Sequence, residues 1–312
     1  MPNKTAVLLM AHGAPQSLDE IPPYLRNIMG RTPSQEVVDD IKERYRLAGG
    51  RSPLLEITQQ QATALEARLN RSGQNFKVYI GMRHWHPFIH ETVRQIAKDQ
   101  PERLVALSLA PQYSRLSVGA YLQSLTEALK TCELDIPVHP VKSWHAAPAL
   151  ISAFSEKIKT SLSDYDDVAR KSLCLLFTAH SLPESVLEEG DPYPDEVRAT
   201  VSEIVAQLER RTPVIPWFFA YQSQGLRRGK WLGPSVEETI GNLGEAGCSN
   251  LLVAPIGFVS DHVEILYDVD ILFKGLAASQ GITLKRIDSL NTAPRFIEAL
   301  ADVVQSHLPE ME

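Results

Sequence analysis

The residues of this sequence best suited to chemistry are a histidine closing an apolar strand and a second histidine with a carboxylate two residues on. His180 ends the run Phe177-Thr178-Ala179 and precedes Ser-Leu-Pro. His262 and Glu264 come after Pro-Ile-Gly-Phe-Val-Ser-Asp, with Asp268 and Asp270 in the same acidic stretch. Imidazole and carboxylate both bind divalent metals, and both accept protons. Glu264 and Asp268, at i and i+4, would share one face of a helix. Plainer roles compete with these. A histidine just past a strand is often a turn or capping residue, and acids gather at helix starts because the macrodipole favours them there. Gly81-Met82-Arg83-His84-Trp85-His86-Pro87 adds two histidines two apart, which is not a standard zinc-ligand spacing.

Other chemistries lack their signatures. The sequence holds no HExxH, GxSxG, Walker A or GxGxxG motif, so hydrolase, kinase and dinucleotide-enzyme readings have no support. The 312 residues suggest about two domains. A net charge of −7, with no long Lys/Arg run, leaves no footprint for nucleic acid or anionic lipid. No stretch approaches the roughly 20 apolar residues of a membrane span. The run Ala6–Met10 is too short for a signal-peptide core, and His12 cuts it off. A cytoplasmic protein with no integral membrane association is expected. Cys132, Cys174 and Cys248 are far apart in sequence and too few for a four-thiolate iron–sulfur cluster. They read as small apolar residues.

The elements that must position these groups alternate in type. Candidate strands run over Ala6–Met10, Val78–Met82, Leu104–Leu109, Leu173–Phe177, Trp217–Tyr221 and Leu251–Ala254. Between them lie helical stretches such as Leu54–Leu69, Val118–Leu129, Pro194–Arg210 and Ser235–Ala246. That alternation implies an α/β fold of parallel sheets flanked by helices. The order also repeats. Ala11-His12-Gly13-Ala14-Pro15 comes after the first strand and Ala179-His180-Ser181-Leu182-Pro183 after the fourth. Each half later has a strand ending in Ala-Pro, at Ala110-Pro111 and Ala254-Pro255. The repeat implies a duplication, with its boundary expected in the Pro/His/Trp-rich stretch Pro137–Pro148, dividing the chain into 1–145 and 146–312. Parallel sheets bind ligands at the carboxyl ends of their strands. If the halves face each other, His12, His84, His86, Tyr113, His180, Gln222, His262 and Glu264 converge on one interdomain cleft. The residues alone thus define a two-domain α/β enzyme with a His/carboxylate cleft.

Taken together the motifs resemble the ferrochelatase family. The resemblance rests on Gly-Gly-Arg-Ser-Pro-Leu (49–54), Gly-Met-Arg-His-Trp-His-Pro-Phe (81–88), Pro-Gln-Tyr-Ser (111–114) and Phe-Thr-Ala-His-Ser-Leu-Pro (177–183). It continues through Tyr-Gln-Ser (221–223), Trp-Leu-Gly-Pro (231–234) and Pro-Ile-Gly-Phe-Val-Ser-Asp-His-Val-Glu-Ile-Leu-Tyr-Asp (255–268), so it spans nearly the whole chain. The resemblance implies two Rossmann-like domains in a chelatase-like arrangement, with the porphyrin held between them. It implies insertion of Fe²⁺ into a porphyrin with release of two protons, in haem biosynthesis. Fe²⁺ is then a substrate, and no tightly bound cofactor is expected. A transient iron-donor or haem-acceptor protein would be the only macromolecular partner.

By the same resemblance His180 and Glu264 face the metal-insertion side. His180 is the expected iron ligand and proton acceptor, and Glu264 its partner. Arg44, Tyr45, Ser52 and Tyr121 match positions that hold porphyrin carboxylates or line the ring, although both tyrosines could equally be packing residues. His84 is expected to order the cleft wall rather than bind iron. His12 stands where coproporphyrin-type relatives commonly carry a tyrosine below the metal, and as an imidazole it could be the axial ligand. Met29 replaces a propionate-binding arginine, for which nearby Arg31 is the candidate substitute. Leu272 lacks the acid that some relatives add to the Glu264–Asp268 face. The short polar stretch between Pro15 and Arg44 has no membrane-facing apolar lip, which favours coproporphyrin III over protoporphyrin IX; His12 and Met29 point the other way. A cobalt or nickel chelatase of a sirohydrochlorin-type ring and a non-catalytic porphyrin carrier are the remaining alternatives.

Overall fold

A computed structural model of the protein describes residues 4–210, 215–225 and 229–308. They form two compact units. The first comprises the described residues of Met1–Ala149 and Asn291–Glu312, the second Leu150–Leu290. The chain therefore leaves the first unit once and returns to it. The expected division at 145/146 lies close to the first crossing, but assigning everything beyond it to the second domain is corrected by the helix Pro294–Ser306. This helix packs on Leu54–Leu69 of the first unit. Phe296 is fully buried there, its ring 6.1 Å from that of Trp144, and Gln61 Nε2 donates to the Asn291 carbonyl at 2.8 Å.

Each unit has one four-stranded parallel sheet. In the first, β1 (Thr5–Ala11), β2 (Phe76–Met82), β3 (Arg103–Ser108) and β4 (Val138–Val141) lie in the order β2-β1-β3-β4. In the second, β5 (Leu173–His180), β6 (Trp217–Gln222), β7 (Asn250–Pro255) and β8 (Thr283–Arg286) lie in the order β6-β5-β7-β8. Counted within each unit, the two orders are the same. The central strands are buried on both faces, as flanking helices require: Ala6 through Met10 and Leu251 through Ala254 have no exposed surface. Their unbroken apolar runs are the direct cause.

Two stretches have secondary structure that was not assigned from the sequence. One is Pro137–Pro148, where the boundary was expected. It contains β4, paired with β3, and Trp144 is buried with its indole N–H donating to the Ser108 carbonyl at 2.9 Å. The stretch between Pro15 and Arg44 is largely helical, with helices at Ile21–Met29 and Gln35–Leu47. Ile21, Tyr24 and Leu25 turn inward, leaving Ile28 as the large apolar side chain exposed along it.

The third strand of each unit leads into a π-helix, Arg115–Gly119 after β3 and Glu264–Phe273 after β7. In a π-helix the backbone bonds run i to i+5, so residues four to five apart stack in rows. Glu264, Asp268 and Leu272 therefore remain neighbours on one side.

Candidate active site

In the second unit β5 delivers its last residue, His180, to the carboxyl edge of the sheet, in register with Gln222 of β6. His180 Nδ1 lies 2.5 Å from the Ser181 carbonyl oxygen. A carbonyl only accepts, so Nδ1 carries a proton and Nε2 is the nitrogen left for other partners. His262 repeats the arrangement, its Nδ1 donating to the Ser260 carbonyl at 3.0 Å. Both Nε2 atoms face one oxygen, Glu264 Oε2, at 3.8 Å from His180 and 3.5 Å from His262. Burial works against the charged form of His262. The Glu264 hydrogen bond and charge, with the Ser260 carbonyl and Asp268, outweigh it and raise the imidazole above its ordinary pKa. The Glu264 side chain is 44% exposed. Among the described residues no group of three or more His, Cys, Asp or Glu is arranged to hold a metal ion.

Buried hydrogen bonds hold this set in place. The Tyr193 hydroxyl donates to the His180 carbonyl at 2.9 Å, and burial first, then neighbouring anionic groups, keep that phenol protonated. Thr178 Oγ1 donates to Gln222 Oε1 at 2.6 Å. Gln222 Nε2 in turn reaches Ser223 Oγ at 3.3 Å and the Glu264 carbonyl at 3.5 Å. Ser223, at a φ of 59°, occupies the left-handed region and donates its hydroxyl to buried Asp268. Strain of this kind persists where the surroundings over-determine the backbone. The loop after β7 passes directly over β5. A Cβ on Gly257 would stand 2.9 Å from both Cα and Cβ of Ala179, so only glycine allows the passage beside His180.

The first unit presents its own histidines at the corresponding edge. His12 succeeds β1 as His180 ends β5, and its exposed ring lies 4.6 Å from that of His84. Gly13, at a φ of 88°, turns the chain there; a Cβ would meet the Trp85 amide nitrogen at 2.9 Å. The His84 amide donates to the His12 carbonyl at 2.8 Å. Burial, with the charges of His12 and Arg83, pushes the His84 imidazole down to about 3, so it is neutral at ordinary pH. The Arg83 guanidinium sits over the Tyr121 ring, 6.0 Å from its centroid.

The other residues singled out from the sequence lie in varied settings. Arg44 pairs with Asp40 one helical turn away at 2.9 Å, and Arg31 is exposed. Tyr45 and Tyr121 are buried, Tyr121 within the core cluster of the first sheet. Ser52 is 1% exposed, and its hydroxyl accepts from the Leu54 amide at 3.3 Å at the start of Leu54–Leu69. A hollow of about 330 Å³ in the first unit touches Arg83, Arg94, Glu127 and Cys132 but none of the expected site residues, so shape alone does not mark the site. Cys174 and Cys248, distant in sequence, are buried with their thiols hydrogen-bonded; burial, then Cys248, pushes Cys174 up to about 12. His262 and Gln222 were expected at the strand ends without an assigned role, whereas Ser223 and Tyr193 were not singled out. Strand register and helix placement bring those two in, through Gln222 Nε2 and the His180 carbonyl.

Two like-ordered parallel sheets, each with a histidine at the carboxyl end of its first strand, make up a chelatase fold. The sirohydrochlorin chelatase SirB from Bacillus subtilis subspecies spizizenii, solved with cobalt, superposes with a TM-score of 0.57 over 97% of this chain and 95% of its own. The identity is 11%, so the likeness is one of fold. Sequence comparison goes further, because the model of the ferrochelatase family matches residues 4–308. A ferrochelatase of Deinococcus radiodurans is 40% identical over 306 residues, covering 98% of this chain and 96% of the relative. A coproporphyrin III ferrochelatase of Oceanobacillus iheyensis is 38% identical over 305 residues, covering 96% of each. The chain belongs to the ferrochelatase family and is a metal-chelating enzyme of haem biosynthesis. Among the described residues no helix is long and apolar enough to cross a membrane.

Proposed function

We propose that this enzyme inserts Fe²⁺ into coproporphyrin III in the cytoplasm, with His180 and Glu264 at the metal-insertion point. The convergence of the two imidazole Nε2 atoms on Glu264 Oε2 carries the reading of the site. Insertion breaks two pyrrole N–H bonds and forms four Fe–N bonds, so the site must accept two protons while it offers the metal a ligand. His180 Nε2 has the lone pair for either task, and Glu264 supplies a hard oxygen beside it. The protonated Nδ1, tied to the Ser181 carbonyl, fixes the ring so that only Nε2 can do so. The bent ring geometry that metallation needs would draw on binding energy elsewhere on the macrocycle. Arg31, Arg44, Ser52, Tyr45 and Tyr121 are the proposed porphyrin contacts, with His84 as neutral support. His12 is the proposed axial ligand of the product iron, a role tested by the ligand set of the product complex. In this reading Fe²⁺ is a substrate and the reaction needs no tightly bound cofactor. A transient iron-donor or haem-acceptor protein completes the proposed partners.

Two observations favour the tetracarboxylate ring. One is the substrate in the name of the relative from Oceanobacillus iheyensis, and the other is the character of Ile21–Met29, where Ile21, Tyr24 and Leu25 turn inward and Ile28 is the large apolar side chain left exposed. The test is anaerobic Fe²⁺ insertion monitored by porphyrin absorbance, with coproporphyrin III and protoporphyrin IX side by side. Preference for coproporphyrin is the expected result. Preference for protoporphyrin would make this the terminal haem-forming step, and activity with neither would put a non-catalytic porphyrin carrier ahead.

A further inference from the structure

Between Asp261 and Asp270 the chain carries His262, Glu264 and most of the second π-helix, and a single guanidinium holds both ends of that segment. Arg286, the last residue of β8, donates Nε to Asp270 Oδ1 at 2.8 Å and Nη2 to Asp270 Oδ2 at 3.0 Å. The same Nη2 lies 3.1 Å from Asp261 Oδ1, and Nη1 donates to the Ile287 carbonyl at 3.1 Å. Ser289 Oγ donates to Asp261 Oδ1 at 2.8 Å, adding a second restraint on that end. The Arg286 side chain is 15% exposed, Asp261 21% and Asp270 37%, so water screens the Asp261 contact less than the Asp270 pair. Planar, bidentate geometry of this kind fixes direction as well as distance. Asp261 adjoins His262, and Asp270 lies six residues beyond Glu264. A shift at either end would move the carboxylate relative to both imidazoles.

We propose that Arg286 is a positioning residue for metal insertion: by bridging Asp261 and Asp270 it fixes the turn bearing His262 and Glu264 on the π-helix. The inference rests on the ferrochelatase reading and on Glu264 acting at the metal. Arg286 does not act on the reactants itself, because its donors are engaged by Asp270, Asp261 and the Ile287 carbonyl. Its removal leaves two carboxylates of like charge, previously joined by one cation, free to separate. The porphyrin contacts proposed above lie outside this brace, so its loss should act on turnover rather than on ring binding.

The experiment compares wild type with Arg286→Gln, Arg286→Lys, Asp270→Asn, Asp261→Asn and the double variant Asp261→Asn/Arg286→Gln. Thermal unfolding, porphyrin Kd by fluorescence quenching, and kcat and KM for Fe²⁺ insertion are measured for each. In folded Arg286→Gln the porphyrin Kd should stay within about twofold while kcat falls about 10- to 100-fold, the range seen when partners that orient metal ligands are lost. Arg286→Lys keeps the charge but cannot span both carboxylates, and should recover part of the rate. The double variant should be no slower than Arg286→Gln alone, since both changes break one bridge. Wild-type kcat in folded Arg286→Gln would overturn the proposal, as would additive losses or equal loss of kcat and porphyrin binding. If Arg286→Gln does not fold, Asp270→Asn, which keeps the Arg286–Asp261 contact, decides the matter by whether its kcat falls at unchanged Kd. A wild type that inserts no iron would instead refute the functional reading.

Discussion

At the residue scale, the orientation of two imidazoles rests on two backbone carbonyls. Each accepts from an Nδ1–H and so leaves Nε2 as the nitrogen turned toward Glu264. His180→Ala removes that nitrogen but leaves the backbone carbonyl of residue 180 to accept from Tyr193, so local structure should survive. Turnover should fall about 10²- to 10⁴-fold with porphyrin binding retained, as equilibrium fluorescence quenching would show. His84 gives a stability test. Its folded-state pKa, about 3, lies below the unfolded value of about 6.5. Below pH 6.5 the unfolded chain takes up a proton that the native ring refuses. The stability from this group is thus complete above about pH 6.5 and is lost as pH falls toward 3, by about 1.4 kcal/mol per pH unit. His84→Gln should flatten that acid limb in denaturant titrations; an unchanged limb would mean that His84 titrates normally. His180 and Glu264 were legible from residue type and motif. Tyr193 was not, and Gln222 was legible as a strand-end residue but not as the neighbour of His180, because a glutamine next to a histidine across two strands is a fact of register.

At the element scale, strand length governs what the sequence reveals. The six strands with continuous apolar runs could be located from the sequence alone. β4 and β8 could not, being four-residue edge strands paired on one side, with His139, Pro140 and Lys285 breaking the apolar pattern. The π-helix was also hidden, since an acidic pair four apart suits an ordinary helix equally well. The loop over β5 makes the sharpest test of packing. Gly257→Ala sets a methyl against the backbone of Ala179 and should cost about 1–3 kcal/mol. It should also displace the segment leading to His262, lowering kcat more than porphyrin affinity. A variant with wild-type melting and rate would show that the loop can lift without consequence.

At the scale of the whole molecule, the repeat legible in the Ala-His and Ala-Pro turns corresponds to two sheets with the same strand order. The boundary was only half legible. Nothing in the amphipathic pattern of Pro294–Ser306 says which sheet it serves, and the answer lies in its packing on Leu54–Leu69. Phe296→Ala should therefore destabilise the first unit by about 3–5 kcal/mol. Hydrogen exchange should then rise in β1 and β3 before β5 and β7; a uniform rise would mean that the units unfold as one. The return of the chain at Asn291 also bears on synthesis. The second unit is contiguous and can close as soon as its residues leave the ribosome, whereas the first must wait for a helix made more than a hundred residues later. Domains usually fold in the order they are translated. Here the order should be reversed: chains ending at Leu290 and released from the ribosome should resist protease in the later-made half, while the earlier-made half stays open to cleavage.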